Sequence, residues 1–445
     1  MIDTDTIVAM ATPHGRGGVA IIRLSGPMIK NIITTWCQRE LLPRQATKLF
    51  FHDKNGDIID EGLAIYFPNP HSFTGEDVLE LHAHGSPVVV DLLLQAMLHL
   101  GARLAKPGEF SERAFLNGKL DLLEAEAIAD LISANSEQAA RSAMRSLQGT
   151  FSKKINEAHD NIIKIRTYIE AAIDFSDQDI DFLQDETLIL RLQALLQQLD
   201  EIQSKAKQGS LLREGIHVVI IGEPNVGKSS LLNILSEKEA AIVSNIPGTT
   251  RDVIREVILL DGLPLHIIDT AGLRESSDVI EQEGMKRAYH EIEKADLILH
   301  VVDAGEVRDV NFERGTFSAN KIIVRNKIDL INEMPSVIYG PDKTIVSISI
   351  INNQGLNDLK NVIKKTVGFH AEEDGIFLAR RRHIDALMQA KNHVNTCLMQ
   401  LLEKQLPELA AEELRLSHMA LASITGQFTS DDLLGHIFSS FCIGK

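Results

Sequence analysis

Residues 222–230 read GEPNVGKSS. Gly222, Gly227, Lys228 and Ser229 fill the pattern G-x-x-x-x-G-K-[ST], with the strand-like run HVVII before it and the helical run SSLLNILS after it. A phosphate-binding loop needs that context. Glycines let the loop close tightly with its backbone N–H groups facing the phosphates, and the following helix N-terminus adds a favourable dipole. Lys228 is placed to reach the β- and γ-phosphates, and Ser229 to ligate Mg2+.

Outward from the loop, HVVIIG, LHIIDT, LILHVVD, KIIVRNK and TIVSIS read as buried strands separated by helical patterns. That alternation is the mark of a doubly wound parallel sheet. REVILLDG directly before LPLHIID reads as a hairpin and predicts one antiparallel edge strand. Further motifs follow in order. GTTRD at 248–252 offers a switch threonine, Thr250, as a Mg2+ ligand. DTAG at 269–272 places Asp269 to hold Mg2+ through water and the Gly272 N–H to sense the γ-phosphate. In NKID, Asn326 to Asp329, the carboxylate of Asp329 suits the N1–H and exocyclic amine of guanine. Adenine presents a bare acceptor at that edge and would leave Asp329 unpaired, so the nucleotide is read as GTP. VSIS at 346–349 lies where a backbone contact to the base is expected, although it departs from the usual Ser-Ala-Lys or Ser-Ala-Leu form.

Two positions bear on hydrolysis. Leu273 stands after DTAG, where a Ras-like enzyme carries the glutamine that orients the attacking water. LRESSDVIEQEG offers Glu275, Asp278, Glu281 and Glu283 instead, without singling one out. Asn225 is able to ligate a monovalent cation that neutralises charge developing on the transferred group, although an exposed loop asparagine is the commoner role.

The rest of the chain divides by texture. With 445 residues, about three domains are expected. Residues 1–118 are mixed α/β: TIVAMA, GVAIIRL, LAIYF and DVLELHAHG read as strands, and SPVVVDLLLQAMLHLG as a helix stopping at Gly101. From residue 119 to about 212 the texture is helical. Phe151, Ile155, Ala158, Ile162, Ile165 and Ile169 form one apolar stripe. Residues 213–370 hold the nucleotide motifs. In 371–445 the helical texture returns, with Ile384, Leu387, Val394, Leu398 and Leu401 on one face. Helical sequence on both sides predicts an α/β domain inserted into a discontinuous helical one.

Composition excludes several classes. A formal charge of −17 argues against a uniformly basic nucleic-acid binder, and 5% aromatic content against a base-stacking platform. Cys37, Cys397 and Cys442 are too few and too far apart for a disulfide framework or zinc spacing. The start MIDTDTIVAM lacks a signal-peptide pattern and no apolar run is long enough to span a bilayer, so a cytoplasmic protein with no membrane role is expected.

The chain resembles the MnmE (TrmE) family of tRNA modification GTPases, within the wider group of TrmE-, Era-, EngA-, YihA- and septin-like GTPases. The resemblance spans nearly the whole length. It is carried by ATPHGRGG at 11–18, SFTGEDVLELHAHGSP at 72–87, KPGEFSERAFLNGKLDLLEAEAIADLI at 106–132, the G motifs, and TGQFTSDDLLGHIFSSFCIGK at 425–445. It implies a multidomain chain: an α/β N-terminal folate-binding-like domain that also dimerises, an all-α helical domain, and an inserted Ras-like P-loop α/β G domain. It implies a K+-dependent GTPase activated when the two G domains of a homodimer meet. Asn225, Ser244, Ile246 and Thr249 then become K+ ligands and Glu281 the water-orienting residue. The implied GTP contacts are Asn225, Val226, Gly227, Lys228, Ser229 and Ser230. A second group is Ser244, Asn245, Ile246, Pro247, Gly248, Thr249 and Thr250. A third is Asp269, Thr270, Ala271 and Gly272, and the last is Asn326, Lys327 and Asp329 with Ser347, Ile348 and Ser349.

The resemblance also implies binding of 5-formyl- or methylene-tetrahydrofolate by Arg23, Glu80, Lys119 and Lys445, and a role for Cys442 in the modification chemistry. The reaction implied modifies C5 of the wobble uridine of certain tRNAs. A folate one-carbon unit forms the bridging methylene, and glycine or ammonium supplies the amine. The implied partner is the FAD-binding MnmG. GRGG near the start lacks the G-x-G-x-x-G spacing, so FAD is expected mainly in the partner. The contrasting reading, a ribosome-assembly GTPase that binds rRNA without modifying it, shares the G motifs but not the N-terminal region or the Cys-Ile-Gly-Lys tail.

Overall fold

The computed structural model describes residues 5–174, 186–236, 255–269, 295–306, 320–340, 343–370, 375–404, 406–427, 431–441 and 444. The chain forms two compact units, one from residues 1–129, 147–192 and 392–445, the other from 130–146 and 193–391.

The first unit contains a six-stranded sheet in the order β3-β4-β5-β2-β1-β6. Its strands are β1 (Ile7–Met10), β2 (Gly17–Ser25), β3 (Thr47–His52), β4 (Ile58–Phe67), β5 (Val78–Gly85) and β6 (Arg103–Leu104). All neighbours are antiparallel except β1 with β6. Alternation along β2 and β5 buries Ile22, Leu24, Leu79 and Leu81 in one core. The residues between them, Arg23 and Glu80, are thereby turned to the opposite face, where the register sets them side by side. The short α1 (Ile29–Ile32) and the helix α2 (Pro87–His99) cover the apolar face with Ile29, Ile32, Val90, Leu93 and Met97. Proline at its first position starts α2, and Gly101, at φ +97°, follows its end. Next comes α3 (Glu109–Leu116).

Four helices follow: α4 (Leu122–Ile132), α5 (Glu137–Leu147), α6 (Thr150–Asp174) and α7 (Glu186–Glu214). The six stripe residues of α6 are all buried.

The second unit holds a seven-stranded sheet in the order β12-β13-β11-β10-β7-β9-β8. Its strands are β7 (Ile216–Ile221), β8 (Arg255–Leu260), β9 (Leu263–Asp269), β10 (Leu297–Asp303), β11 (Asn320–Asn326), β12 (Ser336–Tyr339) and β13 (Thr344–Ser347). The strands from β13 through β9 in that order are mutually parallel. The expected hairpin supplies β8 as one antiparallel edge, and β12, which the sequence reading did not anticipate, supplies the other. The helix α8 (Lys228–Ser236) follows β7, and α9 (Leu356–Thr366) follows β13.

The chain continues through α10 (Arg381–Met399), α11 (Pro407–Thr425) and α12 (Asp431–Ser439). In the first unit α6 packs along α11. Along α10 the buried seam is His383, Leu387, Ala390, Val394 and Cys397, with Leu401 beyond it. Ile384 and Leu398, expected on that face, are only half-buried. The seam steps by four and three, and its small or polar members escape a search for large apolar residues. Among the described residues, no helix is long and apolar enough to cross a membrane.

Candidate functional site

The loop Gly222–Gly227 joins β7 to α8 at the carboxyl end of the parallel strands, the usual ligand position in such sheets. Gly222 has φ +149° and Gly227 φ +105°. A Cβ on Gly222 would lie 2.2 Å from the Val301 carbonyl oxygen, and one on Gly227 2.4 Å from Asn326 Nδ2. Both conformation and space therefore require glycine. Asn225, at φ +63°, occupies the left-handed region that asparagine tolerates better than most residues. Its side chain is exposed, as are Ser229 and Ser230 in the first turn of α8. Lys228 Nζ donates to the carbonyl oxygens of Gly222 and Glu223, both at 2.8 Å, which holds the ammonium over the loop.

In the NKID segment, Asn326 ends β11 and is 3% exposed. Its Nδ2 donates to the Val226 carbonyl oxygen at 2.8 Å and its Oδ1 accepts from the Ile350 N–H at 3.2 Å. One side chain thus ties the phosphate loop to the segment after β13. Lys327 Nζ bonds Asp303 Oδ2 at 2.8 Å, and Asp303 Oδ1 accepts the Gly305 N–H at 2.9 Å. The Lys327 bond first, and then the Gly305 N–H, hold the Asp303 carboxyl below the usual carboxylate range. Ser349 Oγ donates to Asp329 Oδ1 at 2.5 Å, fixing the orientation of the carboxylate proposed to read guanine. The N–H groups of Ile348 and Ser349 are engaged by the Arg325 and Gln354 carbonyls.

Asp303, Ile350 and the Ser349 to Asp329 bond were not read from the sequence. The signal for Asp303 was available, since it ends β10 in register with Asn326. Asp269 ends β9 beside Ile220 of β7, which places its backbone next to the strand leading into the loop. The remaining nucleotide, metal and water-orienting assignments lie outside the described residues: Ser244, Asn245, Ile246, Pro247, Gly248, Thr249, Thr250, Thr270, Ala271, Gly272 and Glu281.

In the first unit, Arg23 Nε donates to Glu80 Oε1 at 2.8 Å, and His82 Nε2 lies 3.4 Å from Glu80 Oε2. The Arg23 guanidinium stands 5.5 Å from the Phe73 ring centroid and 5.8 Å from that of Phe110, within cation–π range. These two rings and His82 were missed by the sequence reading. Lys119 is not part of this pair. Its Nζ donates to the Pro70 carbonyl oxygen at 3.1 Å, on the loop that also carries Phe73. Cys442 and Lys445 lie outside the described residues. Gly444 is described, and it packs so closely on Met10 that a Cβ would lie 2.1 Å from the Met10 carbonyl oxygen. Met10 pairs with Ile22, the neighbour of Arg23, so Gly444 lies against the strand next to the one that carries Arg23. Burial pushes the thiols of Cys37 and Cys397 up to about 12, which makes both poor nucleophiles near neutral pH.

Residues 6–119 match the family model described as the GTP-binding protein TrmE N-terminus, and residues 122–442 match the one described as the MnmE helical domain. Over 454 residues the chain is 53% identical to the tRNA modification GTPase MnmE of Proteus mirabilis, covering 100% of both. It is 55% identical over 450 residues to the tRNA modification GTPase MnmE of Haemophilus influenzae, covering 99% of this chain and 100% of the other. Among solved structures, Aquifex aeolicus Era bound to GDP and aluminium fluoride is 27% identical, covering 43% of this chain and 69% of its own, with a TM-score of 0.26.

Proposed function

The chain belongs to the MnmE family of tRNA modification GTPases, and on that premise we propose that it hydrolyses GTP at the loop of residues 222–229 in the course of modifying tRNA. The observation that carries the nucleotide reading is Asn326, whose side chain joins the phosphate loop to the segment beside Asp329. Phosphate and base subsites are thereby built as one unit.

In the proposed reaction, water attacks the γ-phosphorus, the bond from that phosphorus to the β–γ bridging oxygen breaks, and GDP and phosphate leave. Lys228 neutralises charge on the β- and γ-phosphates. Ser229 with Thr250 would hold Mg2+, with Asp269 acting through water. The exposed hydroxyl of Ser229 in the first turn of α8 fits that role. Mg2+ there supplies charge neutralisation. The family resemblance gives Glu281 the task of orienting the water, where this chain has Leu273 in place of a Ras-like glutamine. Asn225 with oxygens of Ser244, Ile246 and Thr249 would hold K+, which supplies the positive charge an arginine finger brings elsewhere. The exposed side chain of Asn225 is compatible with that ligand set.

The finer reading completes the family activity. Domains at 1–118, 119–212 with 371–445, and 213–370 divide folate binding, helical transmission and GTP hydrolysis, in a cytoplasmic homodimer. The Glu80 carboxylate, steadied by Arg23 and His82, suits the amino group and ring N–H of a pterin. Lys119 and Lys445 suit the carboxylates of a folate tail. Folate supplies the one-carbon unit added at C5 of the wobble uridine, and Cys442 takes part near that chemistry. The FAD-binding partner MnmG supplies the flavin and much of the tRNA surface, which fits a chain of net charge −17.

The test is GTP turnover in K+ and in Na+ buffer, for the natural chain and for Glu281→Ala. Strong stimulation by K+ that collapses in the variant is expected. Equal rates in the two salts, with the variant unaffected, would remove both the cation and the water-orienting assignments.

A further inference from the structure

The second unit carries a cavity of about 690 Å³ at the foot of its sheet, opposite to the phosphate loop. That volume lies within the range of small-molecule sites, roughly 300–1,000 Å³. Its walls come from the last turns of α7, the starts of β7 and β11, the residue before β10, the end of α9 and the first turns of α10. The ends of β7 are about 17 Å apart, since its six residues span five rises of roughly 3.3 Å. A ligand in this cavity is therefore distinct from the phosphates at the loop.

The charges in the cavity are unevenly satisfied. Its two carboxylates are engaged within the chain. Asp296 accepts the His217 N–H at 2.8 Å, and Glu214 pairs with Arg213 at 3.0 Å. Its two cations, Lys207 on α7 and Arg381 on α10, have no hydrogen-bond or ion-pair partner among the described residues. With Glu214 paired to Arg213, Lys207 and Arg381 face the single carboxylate of Asp296, whose partner is a neutral N–H, so the described lining keeps a net positive charge of one. One wall is also rigidly preformed: Gln208 is 5% exposed, its Nε2 donates to the Gly368 carbonyl oxygen at 2.6 Å, and its Oε1 accepts the His370 N–H at 2.9 Å. A built wall costs little to order on binding.

We propose that this cavity binds a small organic oxyanion, a phosphorylated or carboxylated metabolite, with Lys207 and Arg381 holding its anionic group. Arg381 offers the planar fork that oxyanions accept, and Lys207 a point charge. The cavity exceeds what inorganic phosphate fills, so the ligand has an organic body with room to meet the polar foot of the sheet.

Isothermal titration of the full chain tests this, with GDP present in saturating amount to fill the phosphate loop. The probes are inorganic phosphate, glycerol 3-phosphate and malonate. Saturable one-site binding is expected for glycerol 3-phosphate or malonate, tighter than for inorganic phosphate. Preference for the first marks a phosphorylated ligand, and for the second a carboxylated one. Lys207→Ala and Arg381→Ala should each weaken it tenfold or more, Lys207→Arg should retain it, and none of the three should change GDP affinity. These side chains are exposed, so the variants fold, and circular dichroism verifies it. Absence of saturation by all three probes up to about 10 mM, beyond the ~1 mM that marks weak small-ligand affinity, would overturn the proposal. So would binding that both alanine variants leave unchanged.

Discussion

Asn326→Ala tests whether phosphate and base subsites form one unit. The substitution removes two hydrogen bonds inside the chain, the one to the Val226 carbonyl at 2.8 Å and the one from the Ile350 N–H at 3.2 Å. Both backbone groups stay behind, and an unsatisfied buried group costs roughly 1–3 kcal/mol. Water entering the space left by the amide recovers part of that, so a total near 3 kcal/mol is expected, toward the low end of the sum. Because Val226 directly precedes Gly227 and Lys228, the free variant relaxes by letting the loop move, GDP binding must restore it, and the cost shifted to binding reaches at most about 3 kcal/mol, roughly a hundredfold in GDP affinity. Asn326→Asp sharpens the test. It keeps an acceptor for Ile350 but sets a carboxylate oxygen against the Val226 carbonyl, so it should bind GDP more weakly than the alanine variant at neutral pH. Burial beside a carbonyl raises the pKa of that carboxyl in the fold. The penalty is therefore present above the raised value and relieved as pH falls through it, when the protonated carboxyl donates to Val226. Displacement of a fluorescent guanine nucleotide measures the affinities and urea unfolding the stability. GDP affinity in Asn326→Ala within about threefold of the natural chain, under 1 kcal/mol, with an unchanged unfolding midpoint, would refute the reasoning.

Asp329→Asn should lower GTP affinity at least about a hundredfold and favour xanthine nucleotides, whose C2 oxygen accepts from the new amide, and competition titration reads the switch. Gly209→Ala should destabilise the chain by about 2 kcal/mol in urea unfolding, although alanine is the better helix former by about 1 kcal/mol. The new Cβ would lie 1.8 Å from the Phe377 carbonyl oxygen and force the helix off that backbone. For Glu109, burial alone would raise the pKa, but bonds from Arg103, the Lys106 N–H and Arg113 outweigh it and hold the carboxyl below its ordinary value. Its contribution is thus present above the unfolded value near 4.3 and lost as pH falls through the lower folded one. Glu109→Gln should cost about 3 kcal/mol at pH 7 and flatten the decline of the unfolding midpoint toward pH 3.

What was legible in the sequence depended on whether a feature is local. The strands β7, β10 and β11 are covered on both faces, so each presents a nearly continuous apolar run that needs no partner to be recognised. β12 is four residues, mostly exposed, and exists as a strand only because β13 lies beside it. The glycines of the phosphate loop are local too, because their φ values belong to the turn itself. The use of Asn326 is not local. NKID names the residue, but its partner Val226 lies 100 positions earlier, and only the packing of β11 against the loop brings them together.

The same distinction separates Arg23 and Glu80 from the groups around them. Period-two alternation places each residue on the polar face of its own strand, and the antiparallel register then makes their contact unavoidable. Phe73, on a loop, and Phe110, on α3, reach Arg23 through connections with no periodicity to read. A half-buried guanidinium bonded to a carboxylate on one side and faced by two rings has few ways to move. Arg23 therefore holds Glu80 in place, and the carboxylate is the group left to meet a ligand. Replacing Glu80 by glutamine should then weaken the proposed folate binding, measured by titration with 5-formyltetrahydrofolate, more than shortening Lys119, whose contact is with the Pro70 carbonyl and not with the pair.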